Sequence, residues 1–169
     1  MSESTATIEK TIGERLAGKY LTFQLADEEY GLEILKVQEI IRMQAVTRVP
    51  RTPEYVRGVI NLRGKVIPVV ELRKKFSFTP CEDTDKTCII VVQIISSDVS
   101  VVMGIIIDEV REVLDIAAEN IEETPSFGAS INTDFILGMG KMNGNVKILL
   151  DIDKVLSIKE INDIQGIAK

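Results

Sequence analysis

The sequence predicts a mainly β protein built from two small β-barrels, and three observations lead to this fold class. Apolar residues recur at every second position over short runs, glycine and proline interrupt those runs, and one stretch of the chain repeats another. Period-two patterns are typical of strands with one buried face. Short strands with such interruptions favour closed barrels, because closure removes the exposed sheet edges that invite aggregation.

The strands can be placed in chain order. Leu21, Phe23 and Leu25 alternate with polar residues, and after a turn the alternation resumes over Tyr30 to Ile34. Residues 66–72 then alternate again, where Pro68 predicts an edge position or a bulge because it cannot donate a ladder hydrogen bond. In the second half, the runs 89–92 and 101–107 are apolar at nearly every position. Such runs predict strands that are buried on both faces. One face of these strands is expected to cover the other barrel.

The two ends of the chain predict helices. A short helix is expected around Ile8 to Leu16, inside a segment whose start is polar. Near the C-terminus, apolar residues recur at close to helical spacing and predict one stripe packed on its own domain. The stripe comprises Val155, Ile158, Ile161, Ile164 and Ile167.

The clearest repeat is a predicted hairpin, since residues 58–72 align without a gap on residues 138–152. Asn143-Gly144 suits the two-residue turn of the second copy, because both residue types tolerate positive φ. Arg63 stands where Asn143 does, and in the left-handed conformation it would cost about 1–2 kcal/mol. Two interpretations stay open. The arginine is selected for its guanidinium, or it is a solvated residue on a tolerant turn.

The repeat also extends upstream, where residues 30–41 match 103–114 and residues 55–58 match 135–138. Two copies of a unit this long indicate a duplicated domain rather than a solenoid, which needs three or more units. The expected divisions are a flexible segment 1–18, a first barrel 19–78, a polar linker 79–87, a second barrel 88–152, and a C-terminal helix and tail 153–169.

Composition limits the function classes. The 169 residues are 45% hydrophobic, enough for a substantial core. The longest apolar runs fall short of the roughly 18 residues of a membrane helix. The first residues lack the basic start and apolar core of a secretory signal, so the cytosol is the expected compartment. Cys81 and Cys88 fit neither a redox pair nor a zinc-ligand spacing, and no disulfide is expected in that compartment.

The net charge of −6 argues against nucleic acid as a partner. A barrel that binds single-stranded nucleic acid is a rival hypothesis, but only 5% of the residues are aromatic and the stacking platform such binding needs is missing. One local basic cluster is open to two interpretations, a surface that meets an acidic protein or ordinary scattered charge. It comprises Arg48, Arg51, Arg57, Arg63 and Lys65.

The sequence matches none of the catalytic motifs with which it was compared. The chain contains no histidine, which excludes Ser-His and Cys-His nucleophile pairs and imidazole metal ligands. Neither glycine-rich stretch has the spacing of a phosphate loop or a dinucleotide fingerprint. The second rival hypothesis is an enzyme that uses the carboxylate of Asp108 or Asp151. The favoured interpretation of the acidic residues is a solvated face. No cofactor or metal is expected. The carboxylates concerned are Asp108, Glu109, Glu112, Asp151 and Asp153.

Several blocks of the chain form a pattern that a known family shares, and the most specific of them is Asn61-Leu62-Arg63-Gly64. The others are 30–34, 37–40, 50–58, Pro68, Leu72, Gly104, 108–110, Ile121, Pro125, Gly138 and 150–152. Together, over residues 19–156, these blocks resemble the CheW family of bacterial chemotaxis coupling proteins.

The resemblance implies a non-enzymatic adaptor built from two intertwined SH3-like five-stranded β-barrels, with short helices and without cofactors. Such an adaptor links the regulatory domain of the histidine kinase CheA to the cytoplasmic tips of chemoreceptors, so that receptor state controls kinase activity. It is cytoplasmic, is recruited to membrane-associated receptor arrays and does not insert into the membrane itself.

The resemblance also implies a receptor-binding groove between the barrels. Three side chains would form apolar walls for a helical hairpin, two glycines would let it approach, and Glu39 and Arg63 would fix its register. The alternative is that the apolar residues are simply core. The seven residues are Val37, Glu39, Gly58, Arg63, Cys88, Gly104 and Val113.

The kinase-binding surface has one candidate, Phe127, because a large aromatic in the loop after Pro125 is typical of an interface anchor. Glu122 and Glu123 depart from the family pattern nearby, where relatives often have a basic residue or proline. Because of this difference, the resemblance gives less support for a kinase contact in this loop.

Overall fold

The computed structural model describes residues 11–79, 81–96, 99–126, 133–157, 160–161 and 163–164. These residues are mostly β, which confirms the predicted fold class. The strands are β1 Gly18–Leu25, β2 Glu28–Glu33, β3 Val37–Arg42, β4 Val56–Leu62, β5 Lys65–Glu71, β6 Cys88–Ser96, β7 Val99–Ile107, β8 Glu109–Ile116, β9 Ile121–Glu122, β10 Ile136–Met142 and β11 Asn145–Leu150. Helices α1 Ile12–Leu16 and α2 Leu72–Lys75 and the 3-10 turns Ile34–Lys36, Ala118–Asn120 and Ile152–Lys154 complete the set.

The strands form two sheets, one of six strands in the order β8-β1-β2-β11-β10-β9 and one of five in the order β3-β6-β7-β5-β4. Two contiguous barrels at 19–78 and 88–152 do not describe these sheets. Strands β1 and β2 belong to segment 19–78 but pair in the six-stranded sheet with β8 to β11 of the second segment. Strands β6 and β7 belong to segment 88–152 but pair in the five-stranded sheet with β3 to β5 of the first segment. The linker 79–87 therefore separates the sequence repeats, whereas each sheet takes strands from both, so the two barrels are intertwined.

The duplication predicted from sequence is also visible in the strand pairing. Each sheet contains one parallel pair, in which Val69 of β5 lies opposite Gly104 of β7 and Leu149 of β11 lies opposite Gly31 of β2. The two antiparallel hairpins each shift register immediately before their first glycine, Gly58 in one and Gly138 in the other. Equivalent sequence positions thus occupy equivalent places in the two barrels.

The apolar side chains divide between an interior for each barrel and one large cluster that both barrels share. Along β6, Ile90 and Val92 enter the shared cluster, and Ile89 and Val91 enter the interior of the five-stranded sheet. All four are fully buried, as predicted for a strand with two covered faces. Each such side chain contributes about 1.5–3 kcal/mol on burial. The shared cluster therefore joins the barrels firmly.

The C-terminal segment also packs on this shared cluster. Val155, Ile161 and Ile164 are buried in it, which confirms that the predicted stripe packs on its own domain. Ser157 and Glu160 bond each other's backbone N–H groups as a capping box, after which the described residues 160, 161, 163 and 164 are helical. Ile158 and Ile167 lie outside the described residues.

At the N-terminus, the expected helix is present over Ile12–Leu16 and is capped by Thr11 and Glu14. Residues 1–10 lie outside the described part of the chain. Of the helices described, none has the length and apolar character that crossing a membrane requires.

Candidate functional site

The site is built around the turn that joins β4 to β5. Arg63 has a φ of 51° and Gly64 a φ of 89°, and Asn143 in the equivalent turn has a φ of 52°. Arg63 therefore occupies the left-handed conformation that the sequence comparison anticipated. The Asn61 side chain accepts a hydrogen bond of 2.8 Å from the Gly64 backbone N–H and closes the turn.

The Arg63 guanidinium lies against the Glu39 carboxylate in a two-pronged ion pair. One nitrogen donates to Glu39 at 3.0 Å and a second bonds the other carboxylate oxygen. The hydrogen bonds from Arg63 lower the pKa of Glu39. Arg63 is 70% exposed in this pair and Glu39 28%. The guanidinium thus stays accessible to a further carboxylate or carbonyl group.

The ion pair also has a place in the sheet. Glu39 lies on β3, the first strand in the order of the five-stranded sheet, and Arg63 leads out of β4, the last. The pair consequently links the two edge strands and closes the barrel. Of the two alternatives for Glu39 and Arg63, bonding to each other or to a partner, the unbound protein uses the first.

Glu39, Gly58 and Gly104 lie on a single row that crosses all five strands. Cross-strand pairing runs from Gly58 to Val69, to Gly104, to Val91 and to Glu39. Val69 and Val91 belong to the barrel interior, so the row lies on the inner face. The same row recurs in the other sheet as Gly138, Leu149, Gly31, Thr22 and Glu112.

The resemblance implied that the two glycines on this row would open a path for a partner, and the structure gives them a different role. A β-carbon on Gly58 would lie 2.1 Å from the Thr47 carbonyl oxygen, and one on Gly104 would lie 2.6 Å from Ile89. Both positions are buried. Close packing inside the barrel requires a glycine at each, because the neighbouring strand or side chain fills the space.

Val37 and Cys88 lie on the paired strands β3 and β6, opposite Val92 and Arg42 respectively. Both are half-buried and pack against the shared cluster, so each is partly core and partly surface. Burial raises the pKa of the Cys88 thiol. The sulfur accordingly behaves as a small apolar group.

Val113 lies apart from the other six residues, on β8 of the six-stranded sheet opposite Leu21. It is 51% exposed, as expected of a wall residue and not of core. Its equivalent in the repeat is Ile40 on β3, which is 44% exposed. The two barrels therefore present equivalent exposed apolar side chains on β8 and β3.

Sequence reasoning missed a second exposed apolar side chain next to β3. Leu35, in the 3-10 turn before the strand, is 96% exposed. The signal was present, because Tyr30, Leu32 and Ile34 alternate inward and Leu35 breaks that alternation. We call Leu35, Val37, Glu39, Ile40 and Arg63 the β3 surface.

Phe127, the candidate for the kinase contact, lies outside the described residues. The acidic residues that we weighed as catalytic are engaged in structural contacts. Asp108 accepts two hydrogen bonds from Arg73 and one from the Ala26 backbone N–H. Asp151 accepts a hydrogen bond of 3.1 Å from the Asp153 backbone N–H. Asp153 accepts hydrogen bonds from Lys36 and from the Ile95 backbone N–H. Within the described ranges, no group of three or more acidic or cysteine side chains is arranged to hold a metal ion.

The chain was compared with known proteins. A family model described as "CheW-like domain" matches residues 19–160. The chemotaxis protein CheW of Klebsiella aerogenes is 38% identical over 164 residues, which cover 97% of this chain and 96% of that protein. The chemotaxis protein CheW of Thermotoga maritima is 32% identical over 162 residues, 94% and 99% of the two chains. The crystal structure of the scaffolding protein TtCheW from Thermoanaerobacter tengcongensis superposes with a TM-score of 0.75 at 34% identity, covering 86% of this chain and 96% of that one.

Proposed function

The chain belongs to the CheW-like domain family, and from this premise we propose that it couples the histidine kinase CheA to the cytoplasmic tips of chemoreceptors. It is a chemotaxis adaptor, as its relatives and the matching scaffold structure indicate. Because the family is a scaffold family, we propose no catalytic step. The receptor and the kinase are the partners to be tested, at a membrane-associated receptor array.

The observation that carries the receptor part of the proposal is the Arg63-Glu39 ion pair. An arginine holds a left-handed position that its asparagine counterpart occupies at lower cost, and its guanidinium remains 70% exposed after pairing. Selection for turn stability alone favours Asn or Gly there. The arginine is therefore explained by its guanidinium, which binds Glu39 and, in our proposal, also contacts the partner.

The β3 surface fits a helical partner. Leu35 and Ile40 are exposed apolar side chains at the edge strand β3, near half-buried Val37. Glu39 lies on the opposite face of β3 from Ile40, and its pair with the exposed Arg63 adds charge at the same sheet edge. Apolar anchors flanked by charge are what an amphipathic helix needs for a groove contact with a defined register. Gly58 and Gly104 support this surface from inside the barrel, and Val113 and Cys88 remain wall candidates.

An adaptor must also hold its two partner faces in a fixed relation. The shared cluster between the barrels contains fully buried residues from both sheets, including Phe23 and Ile90. Protein interiors of this kind are close-packed and resist deformation. This supports a rigid coupler in which a contact at one barrel is held at a fixed distance from a contact at the other. Phe127 stays the candidate for the kinase side.

The test is co-sedimentation of the full chain with the regulatory domain of CheA and a soluble receptor-tip fragment. We expect a ternary complex with the wild-type chain. Arg63→Glu and Glu39→Arg, each folded by circular dichroism, should weaken receptor binding about tenfold or more, a loss of about 1.4 kcal/mol. Kinase binding should be unchanged.

A charge swap separates the internal role of the pair from its role in binding. In Arg63→Glu with Glu39→Arg, the two side chains pair again with reversed positions. If the partner contacts each of the two charged side chains directly, the chain with both substitutions should bind the receptor fragment no better than either single variant. Full recovery of binding would show that the pair only closes the barrel, and normal binding by both single variants would remove the β3 surface from the proposal.

Phe127→Ala is the corresponding test of the kinase side. It should lower the affinity for the regulatory domain of CheA and leave the affinity for the receptor fragment unchanged, because large aromatics anchor interfaces. Unchanged kinase binding would remove Phe127 from the proposal without touching the receptor site.

A further inference from the structure

The four arginines of the basic cluster found in the sequence divide into two groups in the structure. Arg57 donates to Asp83 and Glu71, and Arg63 is bound to Glu39, so both are occupied within the molecule. Arg48 and Arg51 are exposed, and neither has a carboxylate partner among the residues that the structure describes. A chain with a net charge of −6 thus leaves two neighbouring guanidinium groups unneutralised.

These two arginines line the same surface pocket, of about 260 Å³. Lys74 of α2 adds a third cation, which is 3.3 Å from Glu71 and still 26% exposed. Pro50 and Pro53 contribute rigid walls, because the backbone torsion φ of proline is fixed. Glu54 is the one carboxylate among the described lining residues, so the lining is positive overall.

The backbone of Arg51 is a second indication. Its φ is 65°, in the left-handed region that a residue with a β-carbon seldom adopts. Glycine or asparagine would form the same turn more easily. Arg63, the other arginine with positive φ, lies at the proposed receptor contact, so this chain twice places a guanidinium where the backbone disfavours it.

The fold itself does not require a positive charge here. The segment 43–55, which connects β3 to the next strand β4, contains Arg48, Arg51 and Glu54 as its charged residues. The corresponding connection in the other barrel, residues 117–135, contains Glu119, Glu122, Glu123 and Asp134 and has no basic residue. Equivalent connections with opposite net charge indicate that the arginines serve a contact of the first barrel.

We propose that the pocket formed by Arg48, Arg51 and Lys74 binds the side-chain carboxylates of an acidic segment of a partner protein. Guanidinium forks bind carboxylates through two parallel hydrogen bonds, and three cations around one opening suit two or three acidic side chains in a row. The negative charge of the whole chain disfavours an extended polyanion such as nucleic acid. The inference does not rest on the receptor site, since none of these residues belongs to the β3 surface.

The test is an NMR titration of the full-length protein with hexaglutamate and, as the matched probe, hexaglutamine. Hexaglutamate should produce saturable shifts in the backbone amides of the non-proline lining residues, and hexaglutamine should produce none. These amides belong to Arg48, Val49, Arg51, Thr52, Glu54 and Lys74. Raising the salt from about 50 mM to about 500 mM should weaken the binding, because exposed charge pairs are screened. Shifts spread over the surface, or equal shifts with hexaglutamine, would overturn the proposal.

Three variants sharpen the titration. Arg48→Glu and Arg51→Glu should each lower the affinity for hexaglutamate about tenfold. Arg42→Glu makes the same charge change on β3 outside the pocket lining and should have little effect. Arg51→Asn should raise Tm by about 2–4 °C by relieving the backbone, and yet lose affinity like Arg51→Glu. Loss of binding in Arg42→Glu to the same degree would reduce the pocket to general charge attraction and overturn the proposal.

Inorganic phosphate and a phosphoserine peptide form the last arm of the test, because phosphate offers guanidinium groups the same bidentate contact. The proposal expects both to bind more weakly than hexaglutamate, which has several carboxylates. Tighter binding of the phosphopeptide would assign the pocket to phosphorylated segments and overturn the acidic-segment proposal.

Discussion

The two hairpin turns of this protein share one backbone and differ in one residue. Arg63-Gly64 has φ values of 51° and 89°, and Asn143-Gly144 has values of 52° and 80°. Asparagine tolerates this conformation, whereas arginine gains nothing from it as a turn residue. Only the first turn reaches across its barrel to bind a carboxylate, Glu39. The comparison teaches that the glycine-containing row shared by both copies maintains the fold, whereas a departure that costs backbone energy, as Arg63 does, is a candidate for function.

The inner-face rows of the two sheets illustrate the first half of that lesson. Glycine, an aliphatic residue, glycine, a β-branched residue and glutamate occur in the same order in both barrels. Gly58, Gly104 and Glu39 therefore belong to a pattern that the duplication preserved. Arg63 has no charged counterpart in the other copy, and its pairing with Glu39 is specific to the five-stranded sheet.

The largest effect expected from the comparison is on the two equivalent glycines. Gly58→Ala should lower the free energy of unfolding by about 3–5 kcal/mol, because its β-carbon would lie 2.1 Å from the Thr47 carbonyl oxygen at a φ of 149°. Gly138→Ala meets the Glu122 carbonyl oxygen at 3.0 Å and should lose about 1 kcal/mol. Urea denaturation of both variants measures the difference. Equal losses would show that the two barrels pack with equal tightness here.

The next effect is on binding, at the two turns. Arg63→Glu should lower the affinity for a receptor-tip fragment about tenfold or more, and Asn143→Glu should leave it unchanged, because the second turn has no counterpart of the Arg63-Glu39 pair. Isothermal calorimetry with one fragment and both variants gives the two numbers. Equal losses in both would mean that the receptor contact does not distinguish the turns.

A third prediction concerns Arg57, whose counterpart in the other copy is Leu137. Arg57 bonds Asp83 of the linker and Glu71 of β5, so Arg57→Leu should cost about 1 kcal/mol at neutral pH. Its hydrogen bonds lower the pKa of Asp83. Burial raises the pKa of Glu71, but the hydrogen bonds from Arg57 and Lys74 outweigh it and the net direction is down.

The pH dependence of that difference follows from the sign of these shifts. A carboxylate with a lowered folded pKa stabilises the fold above its unfolded pKa, and the contribution is lost as the pH falls through the folded pKa. The gap between wild type and Arg57→Leu should therefore be constant above about pH 5 and shrink below about pH 4. Chemical denaturation at a series of pH values measures it. A gap that is independent of pH would assign the loss to packing.

The smallest expected effect is the loss of stability caused by an arginine in the left-handed position of the turn. Asn143→Arg, made together with Glu112→Gln to remove the equivalent of Glu39, puts the residue of the first turn into the second without a carboxylate to bind, and should lower the free energy of unfolding by about 1 kcal/mol relative to Glu112→Gln alone. Arg63→Asn removes the strain and the ion pair together, so its net effect should lie within about 0.5 kcal/mol of zero. Thermal denaturation of the two variants tests both. A stabilised Asn143→Arg would show that the turn prefers arginine for its own sake.

Much of the fold was accessible from the sequence because its determinants are local. Period-two alternation gave the strands around Phe23 and Tyr30, and the unbroken apolar run 89–92 gave a strand covered on both faces. The left-handed conformation of Arg63 followed from its alignment with Asn143. The predicted bounds 19–78 and 88–152 do not delimit the two sheets, because strand pairing between β2 and β11 and between β5 and β7 is long-range. No local pattern encodes such a pairing. The expectation of one intertwined domain came from the resemblance and not from a local pattern.

The candidate site was accessible to a smaller degree. The site residues were predicted from a resemblance to a family and not from a pattern in the sequence itself. The structure changed the role assigned to two of them, because it shows which residues surround them. Gly58 and Gly104 suggested an open approach, yet Thr47 and Ile89 fill the space beside them. Leu35 was overlooked, although its break in the alternation points outward.

The sequence by itself determined that this protein is a duplicated β-rich chain without a catalytic pattern, with one repeat position where arginine replaces asparagine. Composition, periodicity and self-similarity suffice for that, because each depends on residues near one another in the chain or on direct comparison of two stretches. Only the tertiary structure decided which strands share a sheet, that Arg63 is held by Glu39, and that Arg48 and Arg51 are left without a carboxylate among the described residues. Those results depend on contacts between residues distant in the chain, and a contact of that kind exists only after the chain has folded.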